Sequence, residues 1–397
     1  MTKVKSATPR EKLWNRDFIL TMAVSSAAAL ANGMFSPALP IYAETLGITT
    51  DIIGTIISVS LFICMFGRMV IGGMSARHSR KKLVTFTLVF LLLAYSGFFF
   101  AKNIYILAAA KIFQAIASGM TITVLSTLSI EYIPESRMGE GIGIYSMAAS
   151  LAQCVAPLLG TLLAKNSSFS LLFGLSTAAT AASVAILLFV RDKAPVGVLK
   201  RKRKISILDY LYPPAFMSAV MLMFNGITFS AISNFISIFG LSVGVAGIGM
   251  FFTIQSVVII LIRPVCGKLS DKKSPAVLLV PGLLFSTAAC VVIANAASIA
   301  VFCVAAVMYG IGFGSSQATI QLMAIKSAPP EKRGVANGTF YVGGDIGLSL
   351  GSALAGVLAF RVGYRNMYMV MGAISLISVV LFAVYSRINA RKHEANR

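Results

Sequence analysis

The sequence predicts an all-α membrane protein with twelve transmembrane helices arranged as two pseudo-symmetric six-helix bundles. Three observations predict it. Of the 397 residues, 57% are hydrophobic and only 12% are charged, against roughly a quarter charged in a soluble domain. Apolar stretches long enough to cross a bilayer, roughly 17–25 residues each, recur from end to end. One sequence pattern also occurs twice, at corresponding places in the two halves.

The first apolar stretch covers 17–42. It is too long for a signal-peptide core and ends without a small-residue cleavage motif, so it reads as a retained helix. Helices are then expected at 52–75, 83–101, 104–131, 138–164 and 169–190. "RDKAPVGVLKRKRKIS" follows, a basic linker with a proline, a glycine and no apolar period. The second set is expected at 213–239, 246–269, 276–295, 298–325, 335–360 and 365–387. The chain thus divides into an N-terminal bundle (1–190), a cytoplasmic linker (191–212) and a C-terminal bundle (213–397). No large soluble domain is left to house a separate enzyme.

Orientation follows from the basic residues. With both termini cytoplasmic, the outward loops hold only Lys102, Lys165, Arg361 and Arg365, and Lys111 lies within a helix. Most of the 34 lysines and arginines then fall on the other side, as the positive-inside rule requires. The expected location is the cell (inner or plasma) membrane. The formal charge of +21 is scattered over short loops that flank bilayer spans. Topology accounts for it, with attraction to anionic lipid as a consequence, and no nucleic-acid partner is expected. The cysteines Cys64, Cys154, Cys266, Cys290 and Cys303 lie in or beside apolar segments without C-x-x-C spacing. They read as small hydrophobes, and neither a disulfide nor a metal site is expected.

The repeat is explicit. "RMVIGGMSARHS" begins at Arg68 and "RPVCGKLSDKKS" begins at Arg263, 195 residues later. "PESR" at Pro134 is echoed by "PEKR" at Pro330. Parallel six-helix repeats are a transporter architecture, with the substrate site between the halves near the bilayer midplane.

At these residues the chain resembles the major facilitator superfamily over almost its full length. The loop motif of that family, roughly G-x-L-x-D-R-x-G-R-[KR], reads Gly72, Met74, Ala76, Arg77, Ser79, Arg80, Lys81 in the first half. In the second it reads Gly267, Leu269, Asp271, Lys272. "AAKIFQAIASGM" resembles the family's L-x-x-x-R-x-x-Q-G pattern with Lys111 in place of arginine. "PALPIYAETLG" and "RGVANG" resemble the drug-efflux branch, whereas "AQCVAPLLGT" keeps only Pro157 and Gly160 of the antiporter pattern G-x-x-x-G-P-x-x-G-G. The resemblance implies the major facilitator fold and a drug or metabolite:proton antiporter driven by a proton gradient, without a bound cofactor. Its expected partners are a small-molecule substrate, protons and membrane lipid, and the chain is expected to act as a monomer.

Candidate residues follow from cost. Asp345 sits about ten residues into the eleventh helix, roughly 15 Å from its cytoplasmic end. An acid at that depth costs a few kcal/mol unless it faces a cavity or a partner. It reads either as a proton-coupling or substrate residue, or as a permanently paired structural one. Lys111 reads either as a coupling residue, which the resemblance implies, or as a side chain snorkelling to the outer headgroups. Glu131, ending the fourth helix, is a third coupling candidate, although a cytoplasmic gate with Arg137 and Glu140 suits its position better. Arg68 and Arg263 near inner helix ends read as interhelical or lipid-phosphate partners, or else as gate residues; Arg77, Arg80, Lys81 and Asp271 of the loop motifs are further gate candidates. The expected cavity residues are Asn32, Gln114, Tyr145, Gln153, Asn225, Asn234, Gln255, Gln317, Gln321 and Tyr341. Gln317 and Gln321 are i, i+4 and project on one side. Such a set describes a mildly polar, little-charged cavity, favouring neutral, cationic or amphipathic cargo over polyanions, which would need several arginines in the core. Gly343, Gly344, Gly347 and Gly351 give the eleventh helix a smooth face for close packing.

The expected function is proton-coupled export of a small organic compound by alternating access. The alternative is an importer or uniporter of a sugar, carboxylate or other small metabolite. An enzyme is not expected: the only histidines, His78 and His393, lie in cytoplasmic segments, and no Walker motif appears. In the family the first loop motif's acid is thought to lock the cytoplasmic side against the start of the eleventh helix. With Ala76 in its place, a resting preference for the inward-open state is expected.

Overall fold

The structure, a computed structural model, describes residues 12–165, 169–192 and 210–395. Every regular element among them is helical. The first half contains α1 (Arg16–Thr45), α2 (Thr50–Met74), α3 (Arg80–Gly97), α4 (Ile104–Ile130), α5 (Met138–Lys165) and α6 (Phe169–Leu188). The second contains α7 (Phe216–Ser242), α8 (Gly249–Ser270), α9 (Pro275–Ala294), α10 (Ile299–Lys326), α11 (333–362) and α12 (364–395). The expected linker falls mostly outside the described residues.

Local chemistry sets the helix ends. Asn15 accepts from Phe18 N at 2.9 Å and Asn103 from Ile106 N at 3.0 Å, so a side-chain oxygen satisfies an otherwise orphan amide at the start of α1 and α4. The last two helices form one run, Arg333–Ala395, interrupted only at Gly363 (φ 79°, ψ 164°). That left-handed conformation is open to glycine without a Cβ clash. It breaks the run into two membrane spans, which restores the count of twelve.

Packing follows the repeat. α1 lies against α5 and α6, α2 against α4, and α3 against α4 and α6. In the second half, α8 and α9 pack on α10, while α7 packs on α11 and α12. A Cβ at Gly351 would stand 2.5 Å from the Ile227 carbonyl oxygen of α7, so the smooth face of α11 is a true close approach.

The two halves meet through α2 with α11 and α5 with α8. Both seams lie toward the face where α1 begins, called the inner face below. A Cβ on Gly139 would stand 2.5 Å from Gly267 O, and one on Gly143 2.5 Å from Arg263 O. On the other seam, Gly72 and Gly338 approach to 3.4 Å by the same measure. A Cβ on Gly72 would also stand 3.2 Å from Gly334 O, and one on Gly338 3.2 Å from Arg68 O, so the two seams repeat the same contacts, with each residue of one seam 195 positions from its counterpart. The inner face is therefore closed, contrary to the inward-open state expected from Ala76.

Candidate functional site

A cavity of about 490 Å³ opens between the halves beyond these seams. Helices α1, α2, α4 and α5 contribute to its wall from one half, and α7, α8, α10 and α11 from the other. Its volume lies within the ~300–1,000 Å³ range of sites for drug-sized molecules.

Six of the amide and phenol candidates, Asn32, Tyr145, Gln255, Gln317, Gln321 and Tyr341, line this cavity, as does Gln153. Three others do not. Gln114 donates to Asn32 Oδ1 at 2.9 Å and is almost fully buried. Asn225 donates to Ser316 Oγ at 2.5 Å, and Asn234 to Ser230 and Ser352 at 3.2 and 3.3 Å. Each is used between or along helices, the commoner fate of an amide in a membrane bundle.

The charges differ most from expectation. Arg68 and Arg263, expected near inner helix ends, both line the cavity. Arg68 Nε lies 2.7 Å from Asp345 Oδ2, an ion pair joining α2 of one half to α11 of the other. Its guanidinium also sits over the Tyr341 ring, 5.0 Å from the centroid, a favourable cation–π position. Among the described residues, Arg263 has no carboxylate partner. It donates to Ser146 O at 2.8 Å, to Ser150 Oγ and to Gln317 Oε1. Two arginines therefore face one carboxylate in the wall, and the expectation of a little-charged cavity is corrected.

Lys111 does not snorkel to the outer headgroups. Its ammonium donates to Gln114 Oε1 at 2.9 Å and lies 5.7 Å from the centroid of the Phe35 ring. Through Gln114 and Asn32 it connects to the cavity wall without lining it.

The remaining charged candidates lie at the inner face. Glu131 pairs with Arg80, which also donates to Pro330 O at 2.7 Å in the other half. Arg333 reaches Glu135 across the same gap at 2.6 Å. Arg137 pairs with Glu140 at 2.8 Å, and Arg77 lies exposed at the inner end of α2. Lys81 donates to Leu188 O at 3.1 Å and to Val190 O, holding the end of α6 rather than the gap between the halves.

Asp271 accepts from Gly139 N at 2.7 Å and from Glu140 N at 3.0 Å, capping α5 across the interface. A carboxylate at a helix N-terminus satisfies orphan amides and meets the positive end of the dipole. On the other seam, where Ala76 offers no acid, Ser75 packs against Gly334 and the Arg80 and Arg333 contacts tie the halves together.

Asn337 was not singled out by sequence reasoning. Fully buried, it donates to Ser126 Oγ at 2.6 Å and Thr127 Oγ1 at 3.0 Å on α4, and accepts from Gln321 at 3.2 Å. Its signal was a lone amide within "RGVANG". Ser146 and Ser150 were missed because two serines in an apolar helix carry no distinguishing pattern.

Comparison with known proteins gives the same architecture. A sequence model of the Major Facilitator Superfamily matches residues 21–347 and 215–397. The staphylopine export protein of Staphylococcus aureus is 23% identical over 383 residues, covering 92% of this chain and 94% of the relative. The multi-drug resistance efflux pump PmrA of Streptococcus pneumoniae is 23% identical, covering 82% and 86%. Among solved structures, the transporter FucP in the outward conformation superposes with a TM-score of 0.79 at 15% identity, covering 93% of this chain and 98% of that one. The fold is that of a transporter and not of an enzyme, the curated relatives include exporters, and the family match spans both halves. The chain belongs to the Major Facilitator Superfamily.

Proposed function

We propose that this protein exports a small organic compound by alternating access, in exchange for protons, from the cell membrane with both termini cytoplasmic. The observation that carries the reading is the Arg68–Asp345 pair. It joins the two halves at the cavity wall, where a change in protonation or a bound substrate bears on both halves at once. Protonating Asp345 removes the charge that holds Arg68, so α2 and α11 separate more readily at the inner face. The closed inner seams and the cavity beyond them support an outward-facing state. The export proteins among the relatives support the direction.

A second reading rests on the same pair. Asp345 has a strong partner in Arg68, and a permanently paired acid carries no proton. The protein would then be an importer or uniporter of a small metabolite.

Proteoliposomes with an imposed pH gradient, loaded with a broad compound panel, distinguish the two. Export-type exchange predicts accumulation that collapses when a protonophore is added. Transport at a rate indifferent to the pH gradient replaces the antiporter with the uniporter.

A further inference from the structure

We infer that the transported compound is an amphipathic organic anion, its carboxylate or equivalent acidic group held by Arg263. The inference rests on the reading of the cavity as the transport site and names the class of cargo that it takes. Arg263 is 7% exposed, lines the cavity and lies within the membrane-spanning part of α8. A guanidinium at such a place normally pairs with an acid. Its three bonds, to Ser146 O, Ser150 Oγ and Gln317 Oε1, are all to neutral acceptors and occupy three of its five N–H groups. Nε is buried without a hydrogen-bond partner among the described residues. The charge is therefore hydrogen-bonded but not neutralised.

The internal repeat shows what is missing. Arg68 and Arg263 are counterparts 195 residues apart, and the same interval relates the seam glycines Gly72 and Gly267, Gly139 and Gly334, and Gly143 and Gly338. Applied to Asp345, the interval gives Ser150. Each arginine thus reaches across to the corresponding position of the other half, where one finds a carboxylate and the other a hydroxyl. The first pair is self-contained. The second lacks its anion, in a cavity large enough for a ligand to bring one.

The fork of a guanidinium matches a carboxylate in two-point geometry, with charge-assisted bonds stronger than those to amide or hydroxyl oxygens. The rest of the wall is suited to an apolar body. Phe229 and Phe313 stack at 4.8 Å between centroids, and both line the cavity with Phe252. A compound with an acidic head and a ring or chain fits both features.

The test measures binding to the full chain in lipid nanodiscs by ligand-induced thermal stabilisation. The probes are aryl carboxylates of increasing size, from benzoate to pyrenebutyrate, each beside its primary amide and its amine. Wild type should bind at least one carboxylate about tenfold or more tightly than the matching amide, the scale of one charge-assisted contact. Ser150→Asp supplies the missing acid from the protein and should abolish that preference, whereas Ser150→Asn should retain it. Should Ser150→Asp not fold, Arg263→Gln gives the same expectation by removing the cation. A panel in which no carboxylate outbinds its amide overturns the inference, as does a carboxylate preference that survives both Ser150→Asp and Arg263→Gln. An amine that binds best in a protein that still transports refutes the anion and leaves the transporter standing. Carboxylate binding with no movement across a proteoliposome membrane does the reverse.

Discussion

Arg68 on α2 and Asp345 on α11 meet at 2.7 Å across the junction of the two halves. Breaking a buried pair by removing one partner costs more than the pair contributes, because the other charge is left unpaired, roughly 3–5 kcal/mol. The proposed alternating access separates α2 from α11, so any event that weakens this pair favours the opposite state.

Asp345→Asn is expected to abolish accumulation of substrate against its gradient while substrate-for-substrate exchange continues. Counterflow and pH-driven uptake, measured in the same proteoliposomes, separate the two. A variant that still concentrates substrate at the wild-type rate removes Asp345 from coupling. In a double-mutant cycle, Arg68→Gln with Asp345→Asn should destabilise less than the sum of the single changes, by about 1 kcal/mol or more.

Lys111→Gln takes the ammonium from Gln114 and so loosens the amide that fixes Asn32 at the cavity wall. Transport should fall several-fold with the folded yield unchanged, as size-exclusion profiles would show. Lys111→Arg preserves the charge but cannot release a proton under ordinary conditions. If the arginine variant transports normally, Lys111 acts by charge and position and not by proton transfer.

Ala76→Asp should supply a cap to the start of α11, as Asp271 does for α5. Stabilisation of about 0.3–2 kcal/mol is expected for a carboxylate at a helix N-terminus, in favour of the closed inner face. Asp271→Ala should act oppositely, by about 1 kcal/mol. Double electron–electron resonance distances between the inner ends of α2 and α11 would shorten or lengthen accordingly. Unchanged distributions in both variants would mean that the Arg80 and Arg333 contacts alone hold the gate.

Gly143→Ala places a methyl 2.5 Å from the Arg263 carbonyl oxygen, well inside contact distance. Overpacking of this kind costs about 1–3 kcal/mol, and each 1.4 kcal/mol is about tenfold in a two-state ratio. The inner seam should open, raising the labelling of cysteines introduced along α5 and α8 by a reagent confined to the inner side. A wild-type labelling rate would show that the seam relaxes around the methyl.

The sequence by itself determined how many times the chain crosses the membrane, because bilayer thickness fixes the length of an apolar span. It also determined the twofold repeat, since Arg68 and Arg263 and their flanking residues are written twice. It showed that Asp345 needed a cavity or a partner, because an acid in hydrocarbon is expensive wherever the helix sits. It did not disclose which partner, which amides face the cavity, or that Arg263 lacks an acid. In a soluble protein the apolar stripe of a helix points to the core, but here lipid and bundle interior are both apolar. Periodicity then leaves the rotation of each helix open, and Asn225, Asn234 and Gln114 turn into helix contacts while Gln317, Gln321 and Asn32 turn to the cavity. Only the packed helices, held at glycine seams, set those rotations and brought Asp345 to Arg68 and Ser150 to Arg263.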